Sequence, residues 1–162
     1  MPNWCEGKLK IRGKQKDIVK FITNQLLKCD YGTNNYENVK LELSKFNRTC
    51  YEIPEQFLSH DLYVDNSRRG FVNLIDYDNY FYDDGNEDKR IYICDYRQAW
   101  DIDVELFTEL SVKYNLDFKI YAYERGCCVN RDIEVIDGEI VKNETIEIED
   151  YTWNCIDSTI GG

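Results

Sequence analysis

Between positions 76 and 88 the chain sets six carboxylates, Asp76, Asp78, Asp83, Asp84, Glu87 and Asp88, among Tyr77, Tyr80, Phe81 and Tyr82. Two kinds of chemistry could use such a stretch. Hard divalent cations take oxygen ligands, and a calcium loop needs Asp first, Asp or Asn third and fifth, and Gly sixth. Counted from Asp76, the fifth and sixth residues are Tyr80 and Phe81; counted from Asp83, Gly85 comes three places early. The template fails, and no metal ligands are assigned. The second use is recognition. Tyrosines bury large contact area at small entropic cost, and neighbouring carboxylates meet Arg and Lys on a partner. The candidate partner-binding residues are therefore Asp76, Asp78, Tyr80, Tyr82, Asp83, Asp84, Glu87 and Asp88.

Covalent and general-base chemistry finds little support. His60 is the only histidine, and no Ser or Cys motif near it completes a triad. Glycine-rich phosphate loops and the His-Glu-x-x-His zinc motif are absent. No catalytic residue and no cofactor are assigned. Seven cysteines, Cys5, Cys29, Cys50, Cys94, Cys127, Cys128 and Cys155, include no Cys-x-x-Cys pair. An odd count without a leader-like apolar opening is expected of a reducing compartment, with thiols serving as small hydrophobes. The expected location is the cytoplasm, with no membrane-spanning segment.

Charge narrows the partners. The formal net charge is −11, whereas nucleic-acid binders draw affinity from Lys and Arg on phosphates. Direct binding to nucleic acid or an anionic membrane is not expected. A basic protein partner is, because complementary charge steers association.

The elements that must position these residues follow from periodicity. Trp4 to Arg12 alternates, with Leu9 and Ile11 on one face and Lys8, Lys10 and Arg12 on the other, which predicts a half-buried strand. Ile18, Val19, Phe21, Ile22, Leu26 and Leu27 predict a helix over 15–28. Val39, Leu41 and Leu43 alternate as a strand, and Pro54 opens a short helix. Leu62 to Val64 is a short strand, and Arg68-Arg69-Gly70 a turn. Phe71 to Tyr82 is expected as one long strand paired with Arg90 to Tyr96, projecting the acidic loop as a hairpin. Asp101 or Asp103 caps a second helix bearing Val104, Leu106, Phe107, Leu110 and Tyr114, and a strand runs from Leu116 to Tyr123. Asp137-Gly138 is a strong hairpin signal between Ile133 to Ile136 and Glu139 to Val141. The expected fold class is α+β: a ferredoxin-like split βαβ antiparallel sheet with two helices on one face, plus inserted and C-terminal β-hairpins. One domain over 1–162 is expected, with the acidic hairpin at about 71–96 and the C-terminal hairpin at about 132–150.

The opening Met1-Pro2-Asn3-Trp4-Cys5-Glu6-Gly7-Lys8-Leu9 resembles the start of the YubB-type (Api92-like) ferredoxin-like family of phage and plasmid proteins. Ala99-Trp100, the second helix, and Leu116 to Gly126 are similar to that family's second half, where a Trp precedes the helix and an aromatic strand ends in a Glu-x-Gly-like turn. The match covers roughly a third of the chain; the middle departs from it. The resemblance implies a fold and a mobile-element origin, and no activity. Together these readings predict a phage-type anti-defence protein, an inhibitor of anti-CRISPR kind. It would block a basic nucleic-acid-handling host protein, a CRISPR effector nuclease being the concrete example. The competing expectations are a metal-assisted hydrolase or nucleotide-binding enzyme that removes a defence signal, and an accessory phage protein.

Overall fold

The computed structural model describes residues 3–30, 35–46, 49–58, 60–74, 80–82 and 88–162. The strands are β1 (Trp4–Lys14), β2 (Leu26–Asp30), β3 (Asn35–Asn38), β4 (Glu42–Leu43), β5 (Cys50–Glu52), β6 (Leu62–Val64), β7 (Gly70–Asn73), β8 (Tyr80–Tyr82), β9 (Lys89–Ala99), β10 (Asp117–Glu124), β11 (Val129–Ile136) and β12 (Glu139–Glu147). The helices are α1 (Gln15–Gln25), α2 (Glu55–Leu58), α3 (Val104–Tyr114) and α4 (Tyr151–Asn154). Among the described residues, one antiparallel sheet runs β12-β11-β10-β1-β9-β7-β6-β2-β3, and a second runs β4-β5-β8.

The two-helix ferredoxin-like α+β class is overturned. The described residues are mostly β, 49% strand against 21% helix, with a nine-stranded sheet, a three-stranded sheet and four short helices among them. The physical cause is edge pairing. The β6–β7 hairpin inserts between β9 and β2, β3 extends the sheet beyond β2, and β11 and β12 extend it on the other side. Each added strand satisfies backbone groups that an edge would leave to solvent.

The centre is β1, paired along its whole length with β9 and over Glu6 to Arg12 with β10. Its alternation is as expected. Cys5, Leu9 and Ile11 point inward, while Glu6, Lys8, Lys10 and Arg12 point the other way. The inward side carries α1 and α3. Phe21 meets Tyr114 and Phe118 at 5.7 and 5.6 Å between centroids. Phe107 meets Tyr96 and Phe118 at 5.4 and 5.3 Å. Asp103 accepts from the Leu106 N–H at 3.1 Å and so caps α3, and Asn115 ends it in the left-handed region.

Helix α1 stops three residues short of its expected end. Gln25 is buried at the junction: its amide donates to the Asp65 carbonyl at 2.6 Å, and its Oε1 accepts from Lys113 and Tyr114. Leu26 is then extended and pairs with Val64 in the sheet. The expected long strand from Phe71 to Tyr82 is also corrected. Its ends belong to different sheets, β7 pairing with β9 and β8 with β5. Strand β9 faces β1 and β7, so it does not form a projecting hairpin with Tyr80 to Tyr82. The Asp137-Gly138 turn has φ of 49° and 77°, the signs a two-residue hairpin of this twist demands. All seven cysteines are thiols, with Cys5, Cys50, Cys94 and Cys155 buried and Cys127 and Cys128 exposed in a turn. No helix among the described residues is long and apolar enough to cross a membrane.

Candidate functional site

Of the residues singled out for recognition, Asp76, Asp78, Asp83, Asp84 and Glu87 lie outside the described residues. Tyr80, Tyr82 and Asp88 are described, and all three are exposed. Strand β8 is fixed by the residue between its two tyrosines. Phe81 is buried and stacks on Tyr92 of β9 at 6.1 Å, with the rings 29° from parallel. The Gln15 side chain donates to the Tyr82 carbonyl, while its Oε1 accepts from Arg90 at 2.6 Å.

Because side chains alternate along a strand, burying Phe81 turns Tyr80 and Tyr82 together onto the opposite side, where they are 45% and 41% exposed. Register then adds charge to that side. Tyr80 pairs with Glu52, and Glu52 pairs with Glu42. Paired residues share a face, so two tyrosines and two carboxylates from three strands stand together. Glu42 and Glu52 escaped sequence reasoning, because only the register of β4, β5 and β8 brings them to Tyr80. Leu43, Phe46 and Tyr51 of the same small sheet and its turn are also exposed, Phe46 at 92%.

A second feature lies on the face of the large sheet opposite α1 and α3, the face on which Tyr151 of α4 donates to Asn130 of β11. Trp4, Tyr36, Tyr63 and Phe71 form a ladder of rings with centroid steps of 5.9–6.0 Å. The Arg97 guanidinium sits over Trp4 at 5.0 Å and Phe71 at 5.7 Å, and pairs with Asp61. Its Nε is buried and has no hydrogen-bond partner among the described residues. Lys8 pairs across strands with Asp95. Beside these pairs lies a hollow of about 430 Å³, walled by Phe71, Tyr123 and Ile160 and edged by Glu6, Asp61, Asp95 and Asp157. The C-terminal segment closes one side. The Gly162 N–H donates to the Trp4 carbonyl at 2.8 Å, and the Gly161 N–H to Glu6 at 3.3 Å. Burial first, then the nearness of Tyr121, Cys155 and Asp157, raises the Tyr123 pKa, so its hydroxyl stays a neutral donor and acceptor.

Sequence reasoning placed Lys8 on the outward face of β1 but did not find the hollow. Its carboxylates come from positions 6, 61, 95 and 157, and only strand order together with the docked segment after α4 unites them. His60 stands exposed in the bend before β6. Among the described residues, no group of three or more His, Cys, Asp or Glu is placed to hold a metal ion. No family model matches the chain, and comparison with curated proteins and with solved structures finds no match.

Proposed function

We propose that this protein is a phage-type anti-defence factor, acting in the host cytoplasm, that binds and blocks a basic nucleic-acid-handling host protein such as a CRISPR effector nuclease. What carries the reading is the row Glu42–Glu52–Tyr80, with Tyr82 on the same side of β8. Two half-exposed tyrosines supply contact area, and the carboxylates beside them select a partner rich in Arg and Lys. The net charge of −11 adds long-range attraction to a positively charged groove. Occlusion of such a groove requires shape and charge, and no bond is made or broken. The resemblance of Met1 to Leu9 to the phage and plasmid family described above favours a mobile-element origin.

The test is immunity itself. In a host whose CRISPR system targets a plated phage, expression of the wild-type protein should restore plaques. The purified protein should bind the guide-loaded effector less tightly as salt rises. Tyr80→Ala/Tyr82→Ala and Glu42→Lys/Glu52→Lys should each abolish restoration while the fold persists. Wild-type protein that neither restores plaques nor binds the effector defeats the effector assignment. Variants that act as well as wild type remove the small sheet from the interface.

A further inference from the structure

The hollow on the open sheet face has a charge balance that selects its occupant. Among the described residues it holds two cations, and both are already neutralised: Lys8 by Asp95 and Arg97 by Asp61. Two further carboxylates remain. Glu6 accepts from the Gly161 N–H, and Asp157 from the Thr159 N–H and hydroxyl. These are neutral donors, and neither Glu6 nor Asp157 has an ion-pair partner among the described residues. Two negative charges therefore face a cavity large enough for a small organic group, in the size range of ligand sites.

The walls refine the chemistry. Phe71 and Tyr123 present rings, and Ile160 an aliphatic side chain. A bare metal ion gains nothing from such walls, and among the described residues no ligand group of the required density is present. A phosphate would meet the two uncompensated carboxylates and be repelled. An organic cation uses both features: its charge meets Glu6 and Asp157, and its methylene stem or flat guanidinium lies against the rings. The surrounding molecule already makes that contact once, where Arg97 lies over Trp4 and Phe71.

We propose that this hollow is a binding site for an organic cation of the guanidinium or alkylamine class. The site is distinct from the Tyr80–Tyr82 surface and does not depend on the function proposed for that surface. The same chemistry reaches the protein from two sources, a basic side chain on a peptide or a free polyamine, so two probes are required.

Argininamide and spermidine are titrated by calorimetry into the full chain at low ionic strength. Backbone amide NMR shifts locate the contact at Gly7, Asn73, Tyr123 and Gly161. The expected result is saturable binding of at least one probe, with shifts confined to those positions. The Glu6→Gln/Asp157→Asn variant keeps the shape and hydrogen-bond acceptors but not the charge, and should weaken binding by about tenfold or more. Tyr80→Ala/Tyr82→Ala should leave it unchanged. Tighter binding of argininamide assigns a peptide side chain as the source, and tighter binding of spermidine a free polyamine. The inference is overturned if neither probe saturates, if inorganic phosphate binds as well as either, or if the double variant binds like wild type. Thermal unfolding of the variant at the wild-type temperature separates lost affinity from lost fold.

Discussion

Truncating Phe107 to alanine tests how the helices are held to the sheet. The side chain is fully buried and lies edge-on to two rings, Tyr96 of β9 and Phe118 of β10, on neighbouring parts of the core. Removing a buried phenyl group ordinarily costs about 3–5 kcal/mol, through lost transfer energy and the cavity left behind. Each edge-to-face contact adds about 0.5–1.5 kcal/mol beyond burial. The surrounding rings belong to strands paired on both sides and cannot collapse into the gap, so the upper part of the range applies, about 4–5 kcal/mol. For a chain of this length each kcal/mol moves the midpoint about 2–4 °C, so melting should fall by about 8–20 °C. Phe107→Leu fills most of the space and should cost about 1–2 kcal/mol. Urea titrations followed by circular dichroism measure both. A Phe107→Ala loss under about 1.5 kcal/mol, with an unchanged urea slope, would falsify the packing described for α3.

Three further outcomes are expected. Burial alone would raise the Asp117 pKa, but the Arg12 hydrogen bond, the Asp137 N–H and Lys89 hold it below its ordinary value. Its stabilisation is therefore full above the unfolded carboxyl range and lost as pH falls through the folded value. Asp117→Asn should be destabilised at pH 5 and lose that deficit well below pH 4; an equal deficit at both pH values refutes the assignment. A Cβ at Gly7 would stand 2.0 Å from the Tyr121 carbonyl oxygen and 2.7 Å from Ala122 Cα. Those are backbone atoms of the adjacent strand, so Gly7→Ala should cost about 3 kcal/mol or more in urea unfolding, and a near-neutral result would contradict the β1–β10 spacing. Native-state labelling with a thiol reagent should modify Cys127 and Cys128 first. Cys5, whose burial pushes its pKa up to about 12, and buried Cys94 should react only on unfolding, and early labelling of either would show the core to be open.

Local patterns carried much of the secondary structure. The alternation of β1, the cap expected at Asp101 or Asp103 and found at Asp103, the strand expected over Leu116 to Tyr123 and found one residue on at Asp117–Glu124, and the Asp137-Gly138 turn all depend on neighbours in sequence. The errors share one cause. Leu26 and Leu27 satisfy helical spacing from Ile22, yet Leu26 is held extended by its pairing with Val64, nearly forty residues away. The Phe71 to Tyr82 stretch alternates well enough for one strand, but Leu74 is buried outside the ladder and Phe81 returns to a different sheet. Non-local backbone pairing decides such segments, and intrinsic strand preference does not reveal the partner. Strand β3 shows the limit most plainly: Asn35-Tyr36-Glu37-Asn38 has no apolar alternation and is exposed throughout, so its pairing with β2 leaves no mark in the sequence.

The same limit explains why the two candidate surfaces were unequally legible, and why they can act separately. Tyr80 and Tyr82 announce themselves in one short stretch, whereas the hollow needs four distant segments and the order β10-β1-β9-β7 to exist. The link between them runs through Phe81 on Tyr92, and Tyr92 points to the buried side of β9. The hollow opens on the other side, where Asp95 and Arg97 project from the same strand. A substitution of Tyr80 or Tyr82 leaves Phe81 in place and so does not disturb β9. Loss of Phe81 would be different. It would unseat the small sheet and strip the Tyr92 ring of its cover on one side only, while β9 stays clamped by β1 along eleven residue pairs. Phe81→Ala should therefore abolish binding at the small sheet and leave cation binding in the hollow intact. Loss of both together would mean that the two faces are coupled through β9 after all.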